Sequence, residues 1–146
     1  MRLLKIIILI IFLNFSCSFV KTKRAEFNGF IGSIRYLFFE DYKGATENFS
    51  QAISLNPSDQ DYYYLRGLCE YLSKDYENAI NDFSKLIEFN QNNAEVYEFR
   101  GNAKLALKKF EESKADFEKA IELDPNNEDV KENLEFVKKL LENKKQ

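Results

Sequence analysis

The side chains that most often carry catalysis and metal binding are scarce in this chain. Its 146 residues include no histidine, which removes both the side chain that titrates nearest neutrality and the usual zinc ligand. Two cysteines, Cys17 and Cys69, are too few for a cysteine-spaced metal cluster. Gly29 and Gly32 have no strand before them and no lysine after them, so they do not form a phosphate loop. The stretch from Asp124 to Glu135 spaces its acids like a calcium loop. Asp129, however, stands where that loop needs glycine, and Pro125 turns the chain. Asn48-Phe49-Ser50 has the form of a glycosylation sequon but falls inside a helical pattern with Phe49 on its apolar stripe. Neighbouring carboxylates such as Glu111 and Glu112 belong to a solvated helix face. No cofactor, metal or catalytic set is expected, and an enzyme is not the reading. The chemistry that remains is association through aromatic and charged side chains, with 14 Phe and 8 Tyr to supply the former.

Those side chains recur at a fixed period. The stretch Tyr63-Tyr64-Leu65-Arg66-Gly67 returns 34 residues later as Tyr97-Glu98-Phe99-Arg100-Gly101. In the second half of the unit the aromatic column is Tyr42, Tyr76 and Phe110, followed by Ala45, Ala79 and Ser113. The columns Phe49, Phe83, Phe117 and Ala52, Leu86, Ala120 come next, then Ile53, Ile87, Ile121 and Leu55, Phe89, Leu123. A gapless period of this length marks a repeat architecture. Within one copy, Ala45, Phe49, Ala52 and Leu55 fall at helical spacing on a single stripe. One such hairpin cannot bury its stripe alone, whereas stacked neighbours can. All these columns, with Tyr63 and Tyr97, are expected in the core.

Together these residues resemble the tetratricopeptide repeat family. Gly67 and Gly101, with Ser33 in the first copy, hold the place of the glycine in the family's first helix. Ala45, Ala79 and Ser113 hold the small position of the second, and Pro57 and Pro125 the closing proline, with Gln91 between them. The resemblance covers three copies, 26–59, 60–93 and 94–127. It implies an all-α fold, a right-handed superhelix of three helical hairpins, with 128–146 supplying a capping helix and tail. In the first copy, helix A is expected near Phe27–Phe39 with a frayed or late start, since Gly29 and Gly32 each cost about 1 kcal/mol against alanine. Arg66 and Arg100 recur with Asp82 and Asp116, while the first copy has Gly32 and Asn48 at those places. Charges that come and go together predict an ion pair.

The N-terminus differs in kind. A basic start, Met1 to Lys5, precedes the apolar run Ile6–Leu13 and then Asn14-Phe15-Ser16-Cys17, the layout of an export signal at 1–16. With Cys17 just after the run, the segment resembles a bacterial lipoprotein signal, although that pattern's leucine is displaced by one place to Leu13. The resemblance implies cleavage before Cys17, a lipid on its sulfur, and an exported protein held at a membrane of the cell envelope. An uncleaved N-terminal anchor is the runner-up. Residues 17–25 then read as a tether, whose Lys21, Lys23 and Arg24 suit anionic headgroups. Cys69 is left alone in a helix as a small packing residue. The net charge of −3 argues against nucleic acid as a partner.

Function then falls to helix A faces that their own helix B does not cover. Residues 2, 5, 9 and 12 of each repeat form one stripe, and in the resembled family that stripe lines a concave groove. Here it reads Phe27, Phe30, Ile34 and Leu37; then Asp61, Tyr64, Leu68 and Tyr71; then Glu95, Glu98, Asn102 and Leu105. It carries no lysine or arginine to grip a terminal carboxylate, so an apolar peptide or helix with a basic end is the better complement. The expected function is a membrane-anchored protein–protein interaction module, a scaffold or assembly factor. The alternative is an envelope protein that self-associates as a homodimer.

Overall fold

The computed structural model describes the backbone of residues 2–90 and 93–143, and side chains from residue 17 onward. Gln91, Lys144 and Lys145 lie outside the described residues, as do the side chains of the basic start and the apolar run. Seven helices and no strand occur among the described residues: α1 (Arg2–Phe39), α2 (Tyr42–Leu55), α3 (Gln60–Leu72), α4 (Tyr76–Glu88), α5 (Ala94–Ala106), α6 (Phe110–Leu123) and α7 (Glu128–Asn143). The chain divides into two compact units, 1–62 and 63–146.

In the first unit, α1 and α2 pair as a hairpin that buries Ala45, Phe49 and Ala52 completely. Asp41 begins α2 by accepting a hydrogen bond from the Gly44 amide at 3.0 Å, a partner for an otherwise orphaned donor. Two expectations are corrected here. Helix α1 does not fray at its glycines; it runs unbroken from Arg2 to Phe39. Residues 17–25 are therefore helical and in line with the remainder of α1. The physical reason lies in how closely α1 approaches its neighbours. A Cβ at Gly29 would strike the ring of Tyr62, and one at Gly32 would sit 2.9 Å from Phe49 Cε1. Close packing against the half-buried ring of Tyr62 and the buried ring of Phe49 outweighs the helix propensity lost at each glycine. The residue that meets Phe49 is Gly32, one place before the Ser33 that the 34-residue register puts in the glycine column.

The second unit repeats that contact in register. A Cβ at Gly67 would lie 3.1 Å from Phe83, and one at Gly101 would lie 2.8 Å from Phe117. Phe83 and Phe117 are fully buried. Phe99 stacks on Phe83 with centroids 5.8 Å apart, joining α5 to α4. Ser113, at the small position of α6, is also fully buried, and its hydroxyl donates to the Gly101 carbonyl at 2.8 Å. Helix α7 closes this unit by burying Val130, Leu134 and Val137 against Phe117 and Ala120. Asn127 caps it, accepting from the Val130 amide at 3.1 Å. Two core columns are corrected: Leu123 is exposed and Leu55 and Phe89 are only half-buried, as are Tyr42, Tyr76 and Phe110, because both columns sit at helix ends where the neighbouring element has already turned away. Ile87, Ile121 and Tyr63 are likewise half-buried, packed on the rims of the buried clusters.

Both expected ion pairs form within the second unit. Arg66 grips Asp82 through Nε and Nη2, each at 2.7 Å. Arg100 grips Asp116 at 2.9 and 2.6 Å, and its Nη1 donates to Ser84 Oγ on α4 at 3.1 Å. Two-point binding of this kind fixes orientation as well as charge. One turn beyond each arginine the two copies diverge. Lys104 adds a second cation to Asp116 at 2.8 Å. At the same position in the earlier repeat stands Glu70, buried, 3.9 Å from Arg66, with Oε2 lacking a hydrogen-bond partner. Burial, followed by the charge of Asp82, pushes the Glu70 carboxyl up to about 8 against the pull of Arg66. Burial also raises the Asp82 carboxyl, opposed by Arg66.

Candidate partner-binding surface

Within the second unit, the helix A stripe is partly engaged in packing. Tyr64 meets Phe83 edge-on at 6.5 Å, and Tyr71 meets Phe99 and Tyr76 edge-on at 5.7 and 5.6 Å. Tyr64, Leu68 and Tyr71 all pack against the buried Ala79–Phe83–Leu86–Val96 cluster while remaining half-exposed. Their rings are thus held in fixed orientations with one face presented, which is the property of an anchor for a partner side chain.

The third-repeat members of the stripe are held by the segment that leads into α7 and by α7 itself. Glu98 Oε2 accepts from Asn127 Nδ2 at 2.9 Å, and Asn102 Oδ1 accepts from Asn133 Nδ2 at 3.2 Å. Leu105 packs into the cluster that α7 closes. The Glu98 carboxyl is raised by burial and then by the nearby charges of Asp129 and Glu95, against the hydrogen bond from Asn127. The far end of the surface is therefore acidic and polar, and its groups are positioned in advance.

Sequence reasoning missed what α7 contributes. Continuing the 34-residue register past 127 makes α7 the first helix of a fourth copy. The stripe positions then fall on Asp129, Glu132, Phe136 and Lys139. Asp129 is the residue whose charge reaches Glu98, and Phe136 is 53% exposed. Helix α7 is therefore more than the cap that was expected: it extends the surface with an aromatic side chain and an acid.

Phe27, Phe30, Ile34 and Leu37 belong to the first unit. Phe27, Phe30 and Leu37 are exposed and Ile34 is half-buried. Cys17 is exposed and unpaired, and Cys69 is fully buried with its thiol pushed up to about 12 by burial. A thiol held so far from ionisation is inert. Among the described residues no helix is long and apolar enough to cross a membrane, and no group of acids and cysteines is placed to hold a metal ion. A cleft of about 350 Å³ is lined by Glu111, Lys114, Ala115, Glu118 and Leu141. Its Lys114 and Glu118 pair with each other at 3.3 Å, which leaves no convergent polar set.

Comparison with known families agrees with the repeated helical hairpins. Tetratricopeptide repeat models match residues 33–95 and 94–127. The chain belongs to the tetratricopeptide repeat family. Solved structures similar to this repeat protein include the tetratricopeptide domain of OM64 from Arabidopsis. That domain is 25% identical, with a TM-score of 0.73 over 82% of this chain and 98% of that one. The Hsp90 co-chaperone Cns1 from Saccharomyces cerevisiae is 26% identical, with a TM-score of 0.74 over 86% of this chain and 41% of its own. The first such domain of Spaghetti (RPAP3), bound to the HSP90 peptide SRMEEVD, is 24% identical, with a TM-score of 0.75 over 82% and 94%. No curated protein matches the sequence of this repeat protein.

Proposed function

We propose that this protein is a protein-interaction module that takes an apolar peptide or helix of a partner on the stripe surface of its second unit. The observation that carries this reading is the set of half-exposed, pre-oriented rings of Tyr64 and Tyr71, followed along the surface by the acids Glu98 and Asp129. Rings locked by packing lose little freedom on binding, and charge sets the direction of the ligand. Support also comes from the similar domain that is bound to a chaperone peptide. The ligand differs in kind, however: an acidic tail ending in a carboxylate meets repulsion at Glu98 and Asp129, so the partner segment carries its charge as lysine or arginine. The test is capture from native membranes by the full chain carrying Tyr64→Ala and Tyr71→Ala. Loss of partner with the helical fold retained at the assay temperature is the expected outcome, with some loss of melting temperature because both rings pack against the core cluster. Undiminished capture overturns this assignment and moves binding to another face.

Attachment to a membrane through a lipid on Cys17 completes the reading. It is supported by the layout of the first 16 residues and by the exposure of Cys17. Cys17→Ala is expected to give an unprocessed or released product on membrane fractionation, since one anchoring signal is gone. Unchanged partitioning with the N-terminal segment still attached would favour the uncleaved anchor instead.

A further inference from the structure

The face of α1 turned away from its own hairpin is apolar over about five turns. Phe19, Val20, Phe27, Phe30, Leu37 and Phe38 are between 59% and 76% exposed. At about 100° per residue they fall within one arc of roughly 100°. The buried or core-facing residues Ala25, Asn28, Gly29 and Gly32 occupy the opposite side. An apolar face of this size calls for an occupant. Residues 17–25 cannot fold back over it, because they continue the same helix in line.

We propose that the occupant is the same face of a second copy, with the two α1 helices parallel. Three observations point there. The first is spacing: Val20, Lys23, Phe27, Phe30, Ile34 and Leu37 step by three and four alternately, the 3.5-residue period that keeps a seam facing a partner helix. The second is area. The six exposed side chains offer about 700 Å² of apolar surface at roughly 200 Å² for a whole aromatic. A standard-size interface takes about 800 Å² from each partner. The third is the single polar seam position. In a parallel pair Lys23 meets its own copy, with Glu26 beside each at 2.7 Å, and one layer of six is disturbed. In an antiparallel pair Lys23 falls against Ile34 twice, and two layers are disturbed. A lone polar seam residue sets register at a cost in stability. The seam lies wholly downstream of Cys17, so chains with and without residues 1–16 both carry it.

The test places single cysteines in the full chain, in the membranes of the cells that make it, with the unaltered chain and its own Cys17 and Cys69 as baseline. Under mild oxidation, Phe27→Cys and Ile34→Cys are expected to give a covalent species of twice the chain mass, since facing seam positions bring Cα atoms within disulfide range. Lys21→Cys, on the other side of the helix, stays at baseline. In detergent, sedimentation equilibrium of full-chain Lys23→Leu is expected to show association about tenfold tighter than the unaltered chain. No doubled species at either seam position overturns the proposal. So does equal cross-linking at residue 21, which marks non-specific collision, or a product of another mass, which marks a different protein. Weaker association of Lys23→Leu overturns it as well, since that outcome belongs to a partner that binds the lysine's charge.

Discussion

Arg66→Met is expected to destabilise the folded protein by about 3–5 kcal/mol, and Arg100→Met by only about 2 kcal/mol. The two arginines make nearly the same contacts. Each holds its aspartate at two points, and each lies over a tyrosine ring, Arg66 on Tyr63 at 5.7 Å and Arg100 on Tyr97 at 5.5 Å. What differs is the company left behind. Without Arg100, Asp116 still has Lys104 at 2.8 Å. Without Arg66, Asp82 is buried beside Glu70 with no cation. A buried charge stripped of its partner costs far more than a pair removed together, so Arg66→Met with Asp82→Leu is expected to recover most of the loss. Urea melts of the three variants at neutral pH provide the measurement. Equal losses for the two single variants would show that Lys104 and Glu70 do not decide the energetics.

Glu70→Gln is expected to stabilise the protein strongly at pH 8 and by only about 1 kcal/mol at pH 5. The folded carboxyl titrates at about 8 and an unfolded one near 4.3, so the folded state holds the proton more tightly. Stability from this group is therefore complete below the unfolded value and is lost as pH rises through the folded one. Between pH 5 and pH 8 the loss reaches at most about 4 kcal/mol, at up to about 1.4 kcal/mol per pH unit. The raised carboxyls of Asp82 and Glu98 act in the same direction, so the variant retains a shallower slope of the same sign. Glutamine keeps the volume and the hydrogen-bonding capacity without a charge to desolvate. Melting temperature measured from pH 5 to pH 8.5 is the readout. A parent protein whose stability rises over that range would contradict the buried-acid account.

The hairpins of the three copies were legible because a 34-residue period is a global signal, whereas the start of α1 at Arg2 was not, since nothing before residue 26 repeats. Each column is read several times, so an error in one copy is corrected by the others. The ion pairs were legible for the same reason, through their joint absence from the first copy. Where a single residue had to be judged alone, the reading was weaker. Gly29 and Gly32 looked like helix breakers because propensity is local, and only the rings of Tyr62 and Phe49 reveal why glycine is needed there. Leu123 looked like core because its column is apolar, although the helix end had already left the packed region. Phe136 was overlooked because residues 128–146 were taken as a cap, whose expected role ends with covering the last hairpin. Sequence spacing identifies a face; the contact of Asn133 with Asn102 shows which helices share it.

The unbroken course of α1 also determines mechanical behaviour. From Cys17 to Ala25, the first buried residue after it, the helix climbs about 12 Å at about 1.5 Å per residue. A flexible linker of the same length would let the first unit swing and sample a volume. A helix transmits torque and holds distance, so anything that grips the chain near Cys17 also fixes the height and the heading of the hairpin it carries.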